Sequence, residues 1–329
     1  MGAVAVAKEQ ATNPLTGFVP VQLRTLRTTR ADAADLFVQY EPNTAPMLYS
    51  RVGSRPGLEQ FAELEAAGIE NLYVRNDDFF NFSSDLMDSL ELLLQQESLP
   101  TADKFAALQL AIAVEVEQTL RLVDCSKFQK LADRIGHELV DLLGDADVLP
   151  RELFQIARHD FNTFTHVTNV ASYSVILAQH LGYANDEDLR QIASAAVLHD
   201  IGKRFIPAAI LTKPGRLDPD EREIIEMHPL RGYEELCQRS ELRLGQLMMV
   251  YQHHERVDGT GYPVKVLSDE IHPWAKLLAV VDVFDAMTAR RPYRRPATPE
   301  YVLDYQRQHA GSHFDREVVE CWISAMTKA

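Results

Sequence analysis

The chain has 329 residues, of which 46% are hydrophobic and 25% are charged, values that are ordinary for a globular protein long enough for two domains. Its formal net charge is −15 at pH 7. Because nucleic-acid polymers and membrane surfaces are bound by patches of Lys and Arg, this acidic balance argues against both as partners. A small anionic substrate is compatible with the charge if positive residues are concentrated at one place.

The cysteines and the N-terminal segment predict the compartment. Cys125, Cys237 and Cys321 are far apart and odd in number, so neither a disulfide framework nor a cysteine zinc site is expected. The first residues lack the regions of a signal peptide and the myristoylation pattern, and no apolar stretch is long enough to span a bilayer. We therefore expect a cytoplasmic protein with reduced thiols.

The first third of the chain predicts a flexible tail over residues 1–17, followed by a small α+β domain over 18–97 with a regulatory or interaction role. Leu58–Ala67 is expected to be a helix that ends at Gly68. No metal or nucleotide motif is found in this domain. Four runs rich in Val, Leu, Tyr and Phe predict strands: Phe18–Leu23, Leu36–Tyr40, Met47–Arg51 and Asn71–Arg75.

Residues 98–150 predict a helical linker, with helices over 101–147. Thr101 and Ser126 are placed to cap two helices. Apolar residues at spacings of three and four mark the second helix: Phe128, Leu131, Ile135, Leu139 and Leu142. This helix pair could relay a signal, form a homodimer interface, or simply pack on the next domain. A protein partner could also bind the N-terminal domain, and these alternatives stay open.

Residues 151–329 read almost throughout as helix, so we expect a C-terminal all-α bundle and a chain that is mainly α. Asp218-Pro219-Asp220-Glu221 is a capping box with proline at the first helical position. Pro273 opens a very apolar helix that carries Asp282. A carboxylate buried in such a run must be paired or bound to a metal.

Seven side chains that can bind divalent metals lie at or inside the ends of these predicted helices. They are His166, His199, Asp200, His228, His253, His254 and Asp282. Several helices can each deliver one or two side chains to a shared interior point. The adjacent His199 and Asp200 suit a site in which one carboxylate bridges two metals. A lone histidine is more often structural or on the surface, so the prediction depends on convergence of the whole set.

The motifs of residues 150–325 resemble those of the HD-GYP family, a branch of the HD phosphohydrolases. Six ordered matches make this a specific signal: His199–Lys203, Ile210–Leu217, His228-Pro229, His253–Pro263, Asp282–Met287 and Arg291–Arg294. The resemblance implies an HD-type helical bundle. It also implies a phosphodiesterase of bacterial signalling that hydrolyses the second messenger cyclic di-GMP to linear pGpG or to GMP.

The resemblance further implies a binuclear centre of two divalent ions, most often iron or manganese. One ion would be held by His166, His199, Asp200 and Asp282, and the other by Asp200, His228, His253 and His254. Asp200 and Lys203 would be the catalytic residues, with Lys203 on the scissile phosphate. The implied substrate-contacting set is Lys203, Gly261, Tyr262, Arg291 and Arg294.

These residue types suit phosphodiester hydrolysis. Two metals roughly 3.5–4 Å apart can lower the pKa of a bridging water, and the resulting hydroxide attacks phosphorus in line. Lys203 can neutralise a non-bridging oxygen as a point charge. Four arginines within residues 290–295 concentrate positive charge that matches phosphate and guanine edges, although a solvated basic loop would look the same.

One departure concerns a third metal. Some family members have Glu four residues before the first histidine ligand, where this chain has Asn162. Asn is a poor ligand for iron or manganese, so we expect two metals, and the end product is left open between pGpG and GMP. Two alternatives remain: a metal-loaded receptor of cyclic di-GMP with little or no turnover, and a hydrolase of another mononucleotide or dinucleotide.

Overall fold

The computed structural model describes residues 15, 17–28, 32–41, 44–75, 125–144, 163–211, 213, 215–289 and 296–327, together with isolated residues between 77 and 109. The chain divides into two compact units, Met1–Ala111 and Ile112–Ala329. The predicted tail therefore lies outside the described residues except at positions 15 and 17. The domain boundaries that we expect from sequence stay predictions.

The first unit contains a four-stranded antiparallel sheet. Its strands are β1 (Phe18–Gln22), β2 (Leu36–Val38), β3 (Met47–Ser50) and β4 (Asn71–Arg75), in the spatial order β1-β4-β2-β3. The helices with defined bounds among the described residues of this unit are α1 (Leu23–Thr28) and α2 (Leu58–Ala66). Leu72 and Val74 alternate as the buried residues of β4, and Phe61 and Leu64 are the buried residues of α2. The strand predictions agree with this sheet, but the sequence prediction missed α1.

The second unit is helical among its described residues. Its α-helices are α3 (Cys125–Gly144), α4 (Thr163–His180), α5 (Asp186–Leu198), α6 (Ala208–Leu211), α7 (Pro219–Glu226), α8 (His228–Leu236), α9 (Leu244–Gln252), α10 (Pro273–Thr288), α11 (Pro299–Gln308) and α12 (Arg316–Thr327). Two 3-10 turns, Ile201–Phe205 and Ser268–Glu270, lie between them. The prediction of a mainly α chain with a small N-terminal sheet is thus confirmed.

Helix α5 lies at the centre of this unit. It begins at Asn185, whose side chain accepts the amide of Glu187 at 3.0 Å, and its residues from Gln191 to Leu198 are all buried. Helices α3, α4 and α9 pack around it. Small side chains such as Ala193 and Ala196 allow this close approach on several sides. The chain that follows the C-terminal end of α5 therefore lies in the interior, where His199 is buried.

Helix α3 packs on α5 within the second unit. Phe128, Leu131, Ile135 and Leu139 are buried, and Arg190 of α5 pairs with Asp141 at 2.9 Å. At Gly136 the backbones almost touch, because a Cβ there would stand 2.6 Å from the carbonyl oxygen of Arg190. Helix α3 therefore packs on the helices of its own unit, which is one of the three alternatives predicted for this segment. A relay or a homodimer interface over residues 101–147 stays a prediction, and residues 110–124 lie outside those described.

Across the part of the chain that the structure describes, no helix combines the length and the apolar character that crossing a membrane requires.

Candidate metal centre

The seven predicted ligands come from five helices and the turns that follow them. His166 lies on α4 and Asp282 on α10. The other five occupy helix ends: His199 and Asp200 after α5, His228 at the start of α8, and His253 and His254 after α9. Helix ends suit this purpose because the chain turns there, so a ligand can point along the helix axis into the interior.

The structure brings these residues together as two groups. The ligand atoms of His166, His199 and Asp282 lie within 4.8 Å of one another, and so do those of His228, His253 and His254. We name them the Asp282 group and the His254 group.

Asp200 stands between the two groups. Its Oδ2 lies 3.3 Å from Nε2 of His199, and its Oδ1 lies 3.3 Å from Nε2 of His228. One carboxylate therefore faces both groups, which is the arrangement that a bridging ligand requires.

Backbone carbonyls fix the orientation of three of the imidazoles. The Nδ1 atoms of His199, His228 and His253 lie 2.6, 2.7 and 2.8 Å from the carbonyl oxygen three residues earlier in each case. Each Nδ1 must carry the proton to donate to a carbonyl, so each Nε2 presents a lone pair to the centre. A hydrogen bond at the far nitrogen is the usual support for a metal-binding histidine.

Several interior atoms have no hydrogen-bond partner that would satisfy them. Among the described residues, buried His199 Nε2 and buried Asp200 Oδ1 have none. Nε2 of His228 and Nε2 of His253 face each other at 3.2 Å, although both are acceptors in the tautomer that the carbonyls select. Unpaired buried acceptors are costly unless a cation binds them. The donor set fits divalent metal ions.

The charge states also suit cations. Burial, together with the neighbouring imidazoles, holds the pKa of His253 well below its usual value, and burial lowers the pKa of His254 to about 3 against the opposing effect of Asp282. Burial disfavours ionised Asp200, but Lys203 and His199 hold its pKa well below the usual range. Near neutral pH His253 and His254 are thus neutral imidazoles and Asp200 is an ionised carboxylate, which are the donor forms that divalent cations bind.

Asp285 is a residue of the centre to which the sequence analysis assigned no role. Its Oδ2 accepts Nδ1–H of His166 at 2.7 Å, and its Oδ1 accepts a hydrogen bond from the side-chain Nδ2 of Asn169 at 2.9 Å. Burial opposes protonation of His166, but hydrogen bonds to Asp282 and Asp285 raise its pKa to about 10. The signal was present in sequence, because Asp285 interrupts the same apolar helix one turn after Asp282.

Two predicted substrate contacts lie beside the centre. Lys203 is paired with Asp200 and is 40% exposed, so its ammonium can also be reached from solvent. The Tyr262 ring packs against the His254 ring, with centroids 4.7 Å apart and planes tilted by 33°, and its centroid lies 6.3 Å from that of His228. Burial raises the pKa of Tyr262, so its hydroxyl stays protonated and can donate a hydrogen bond. The geometry puts both side chains at the wall of the centre.

Gly261 permits the turn that leads to Tyr262. A Cβ at this position would stand 2.4 Å from the amide nitrogen of Arg256 and 2.6 Å from the carbonyl oxygen of His254. The turn can therefore approach the end of α9 only with glycine here. Arg291, Arg294 and Asn162 lie outside the described residues, so the predictions made for them stay predictions.

Histidines that match no motif have other contacts. His180 and His309 hydrogen-bond the carbonyl four residues earlier, His272 accepts the amide of Trp274 at the start of α10, and His313 stacks on Phe314. These contacts belong to helix ends and packing rather than to either ligand group.

Comparisons with known proteins identify the family of the chain. The profile described as "HD domain" matches residues 149–318. A cyclic di-GMP phosphodiesterase response regulator of Xanthomonas campestris is 36% identical over 54% of this chain and 47% of its own length. A 3'3'-cGAMP-specific phosphodiesterase of Vibrio cholerae is 36% identical over 63% of this chain and 41% of its own length. The chain thus spans about half the length of the curated relatives that it matches.

A solved structure shares the fold. Bd1817, described as an HDG"Y"P protein from Bdellovibrio bacteriovorus, superposes with a TM-score of 0.67 over 94% of this chain and 100% of its own, at 17% sequence identity. At this identity the likeness concerns the fold alone. Because the family profile matches more than half of the chain, the protein belongs to the HD domain family of metal-dependent phosphohydrolases, and its resemblance to the HD-GYP branch is confirmed.

Proposed function

We propose that this protein is a metal-dependent phosphodiesterase that hydrolyses cyclic di-GMP to pGpG, GMP or both in bacterial second-messenger signalling. The observation that carries the proposal is the pair of ligand groups joined by Asp200, with Lys203 beside it. The relatives named cyclic di-GMP phosphodiesterases support the choice of substrate.

The proposed cofactors are two divalent ions, iron or manganese. The Asp282 group would hold one and the His254 group the other, with Asp200 shared between them. When bound, such ions supply Lewis acidity to the phosphate and lower the pKa of a water molecule. Mixed imidazole and carboxylate donors suit both metals.

The side chains of the protein would then orient and neutralise the substrate. Lys203, already beside Asp200, would place its ammonium against a non-bridging phosphate oxygen. Tyr262 would donate a hydrogen bond from the pocket wall, since its hydroxyl stays protonated. Arg291 and Arg294 would pair with the second phosphate or a guanine edge. Gly261 would bring this wall close to the His254 group.

A second candidate substrate is 3'3'-cGAMP, because three of the matched Vibrio cholerae proteins are named for it. Both messengers carry two phosphodiester groups, so the same centre could serve either. A second-messenger substrate is consistent with a cytoplasmic location. We keep as further proposals a regulatory or partner-binding role for residues 18–97 and a homodimer through residues 101–147.

The test uses full-length protein purified without oxygen and loaded with iron(II) or manganese(II), with the bound metal quantified. Cyclic di-GMP and 3'3'-cGAMP are incubated separately and products are separated by chromatography. Asp200→Ala should lower turnover at least about a thousandfold, since it removes the ligand shared by both ions. The control Asp304→Ala removes an exposed carboxylate of α11 and should leave turnover unchanged.

The outcomes separate the alternatives. Metal-dependent release of pGpG or GMP that Asp200→Ala abolishes supports the proposal and identifies the end product. Tight binding of a cyclic dinucleotide without product, at about two metals per chain, would show a receptor instead. Full activity of Asp200→Ala would contradict the proposed centre.

A further inference from the structure

Glu255 is a buried carboxylate that neither ligand group uses. It directly follows His254, and only 3% of its surface is exposed. Ionisable side chains are almost never this buried unless they are paired or hydrogen-bonded. Its partners are therefore informative about what the residue does.

Both oxygens of Glu255 accept hydrogen bonds from the backbone beyond Tyr262. Oε1 accepts the amides of Val264 at 2.6 Å and Lys265 at 3.0 Å, and Oε2 accepts the amide of Lys265 at 3.1 Å. This carboxylate thus holds two consecutive peptide groups at the end of the loop.

The start of the same loop has an independent attachment. The amide of Tyr262 donates to the carbonyl oxygen of His254 at 3.2 Å, and Gly261 lies against the backbone of His254 and Glu255. Tyr262 therefore lies between two anchors, one on His254 and one on Glu255. With both in place, its ring packs against the His254 imidazole.

The second anchor holds a backbone conformation that is unfavourable by itself. Lys265 has a φ of 65°, in the left-handed region that residues other than glycine seldom occupy. Such a conformation is unfavourable for a side chain with a Cβ and persists only when surrounding contacts enforce it. The amide of Lys265 is the group that contacts both oxygens of Glu255, so this carboxylate enforces it.

We propose that Glu255 is a positioning residue: by accepting the amides of Val264 and Lys265, it holds Tyr262 against His254 and so shapes the substrate wall of the centre. The role rests on the proposed phosphodiesterase function. It acts on the substrate through Tyr262 and leaves the metal ligands in place. Removal of the carboxylate should therefore weaken catalysis without removing metal.

The test compares Glu255→Ala and Glu255→Gln with Glu320→Ala, which removes an exposed glutamate of α12. Glu255→Ala should retain metal and lower kcat/KM at least about tenfold, mainly through KM, because a misplaced contact group costs this much or more. Glu255→Gln keeps one acceptor oxygen and should recover part of the loss. If Glu255→Ala does not fold, Glu255→Gln takes its place in the following cycle.

A double-mutant cycle separates positioning from a general structural role. In a Tyr262→Ala background, Glu255→Ala should change kcat/KM by less than about twofold, because the group that it positions is gone. An equal loss in both backgrounds would overturn the proposal, and so would loss of metal in Glu255→Ala.

Amide hydrogen exchange over residues 256–266 gives a readout that does not need turnover. Glu255→Ala should lose protection at Val264 and Lys265 while α9 keeps its protection. If the wild-type enzyme cleaves no cyclic dinucleotide, the proposed function fails, and unchanged exchange at these two amides would separately overturn the assignment of Glu255.

Discussion

The two ligand groups differ in one support: a carboxylate holds Nδ1 of His166 in the Asp282 group, whereas His199 of that group is oriented by a backbone carbonyl, as in the His254 group. In the Asp282 group, His166 lies between two carboxylates, Asp282 at 3.3 Å and Asp285 at 2.7 Å. In the His254 group, His228 and His253 are oriented by backbone carbonyls. The Asp282 group thus contains a carboxylate, whereas the His254 group consists of histidines and depends on Asp200 for negative charge. The contrast teaches that a ligand can be oriented by side chains or by the helix end itself.

The largest expected effect comes from separating the two groups. A Cβ at Gly202, in the turn after Asp200, would stand 1.9 Å from the carbonyl oxygen of His228 and 2.6 Å from the amide of Gly232. Gly202→Ala must therefore push the His199–Asp200 turn away from α8. We expect a loss of unfolding free energy of about 3 kcal/mol, at the upper end for overpacking, together with loss of metal.

Urea unfolding and metal analysis measure both effects. Gly144→Ala is the matched control, since no atom lies within 4 Å of a Cβ at that position. Native stability with full metal content in Gly202→Ala would contradict the close approach.

Removing one ligand from each group is expected to have the next largest effect. Asp282→Ala and His228→Ala should each lower bound metal by about one ion per chain and turnover by at least about a hundredfold. Metal analysis and turnover of the same preparations check this. If either variant lost both ions, the two groups would not be separate sites.

A smaller effect is expected at Asp285. In Asp285→Asn, Asn169 would still donate to the retained oxygen, so the new amide nitrogen would face Nδ1 of His166. In the neutral, metal-binding form of His166 the single proton would then lie on Nε2, the nitrogen that faces Asp282. Loss of such an outer partner typically costs 10–100-fold in metal affinity or activity. Metal titration of Asp285→Asn beside Asp304→Asn measures the shift, and equal affinities would show that Asp285 does not select the tautomer.

The smallest effect concerns a partly buried histidine outside both groups, His313. Burial, with Arg256 and His309 nearby, lowers the pKa of His313 to about 4. Between pH 6.5 and about 4, His313 is protonated in the unfolded chain but stays neutral in the folded one. The residue therefore lowers the free energy of unfolding progressively as pH falls through this interval.

His313→Gln should therefore reduce the loss of unfolding free energy over this interval, whereas replacement of the exposed His137 by Gln should not. Chemical unfolding at several pH values gives the measurement. Parallel pH dependence in wild type and His313→Gln would contradict the assignment.

Sequence could predict the convergence of ligands because the signals were local. Asp282 interrupts an apolar helix, and His199-Asp200 ends another, so both had to be paired or bound to a metal. Helix type and the sheet strands followed from periodicity and β-branched or aromatic runs.

Asp285 and Glu255 could not be given roles in the same way. Their partners are an imidazole 119 residues away and two backbone amides across a loop, and no spacing rule encodes these contacts. Helix α1 was missed because six residues are too few for a periodic pattern. Residues that act through other residues need the fold before their roles can be read.

The close approach at Gly136 limits which substitutions α3 can accept where it packs on α5. No side chain lies between the backbones of α3 and α5 at this point, so nothing there can absorb a larger residue. Helix α5 has 13 residues and is therefore about 20 Å long, and the residue that follows it is His199. A larger residue at Gly136 would therefore displace α5 along its whole length. Whether α3 tolerates a substitution at Gly136 therefore depends on whether His199, at the far end of α5, can move with that helix.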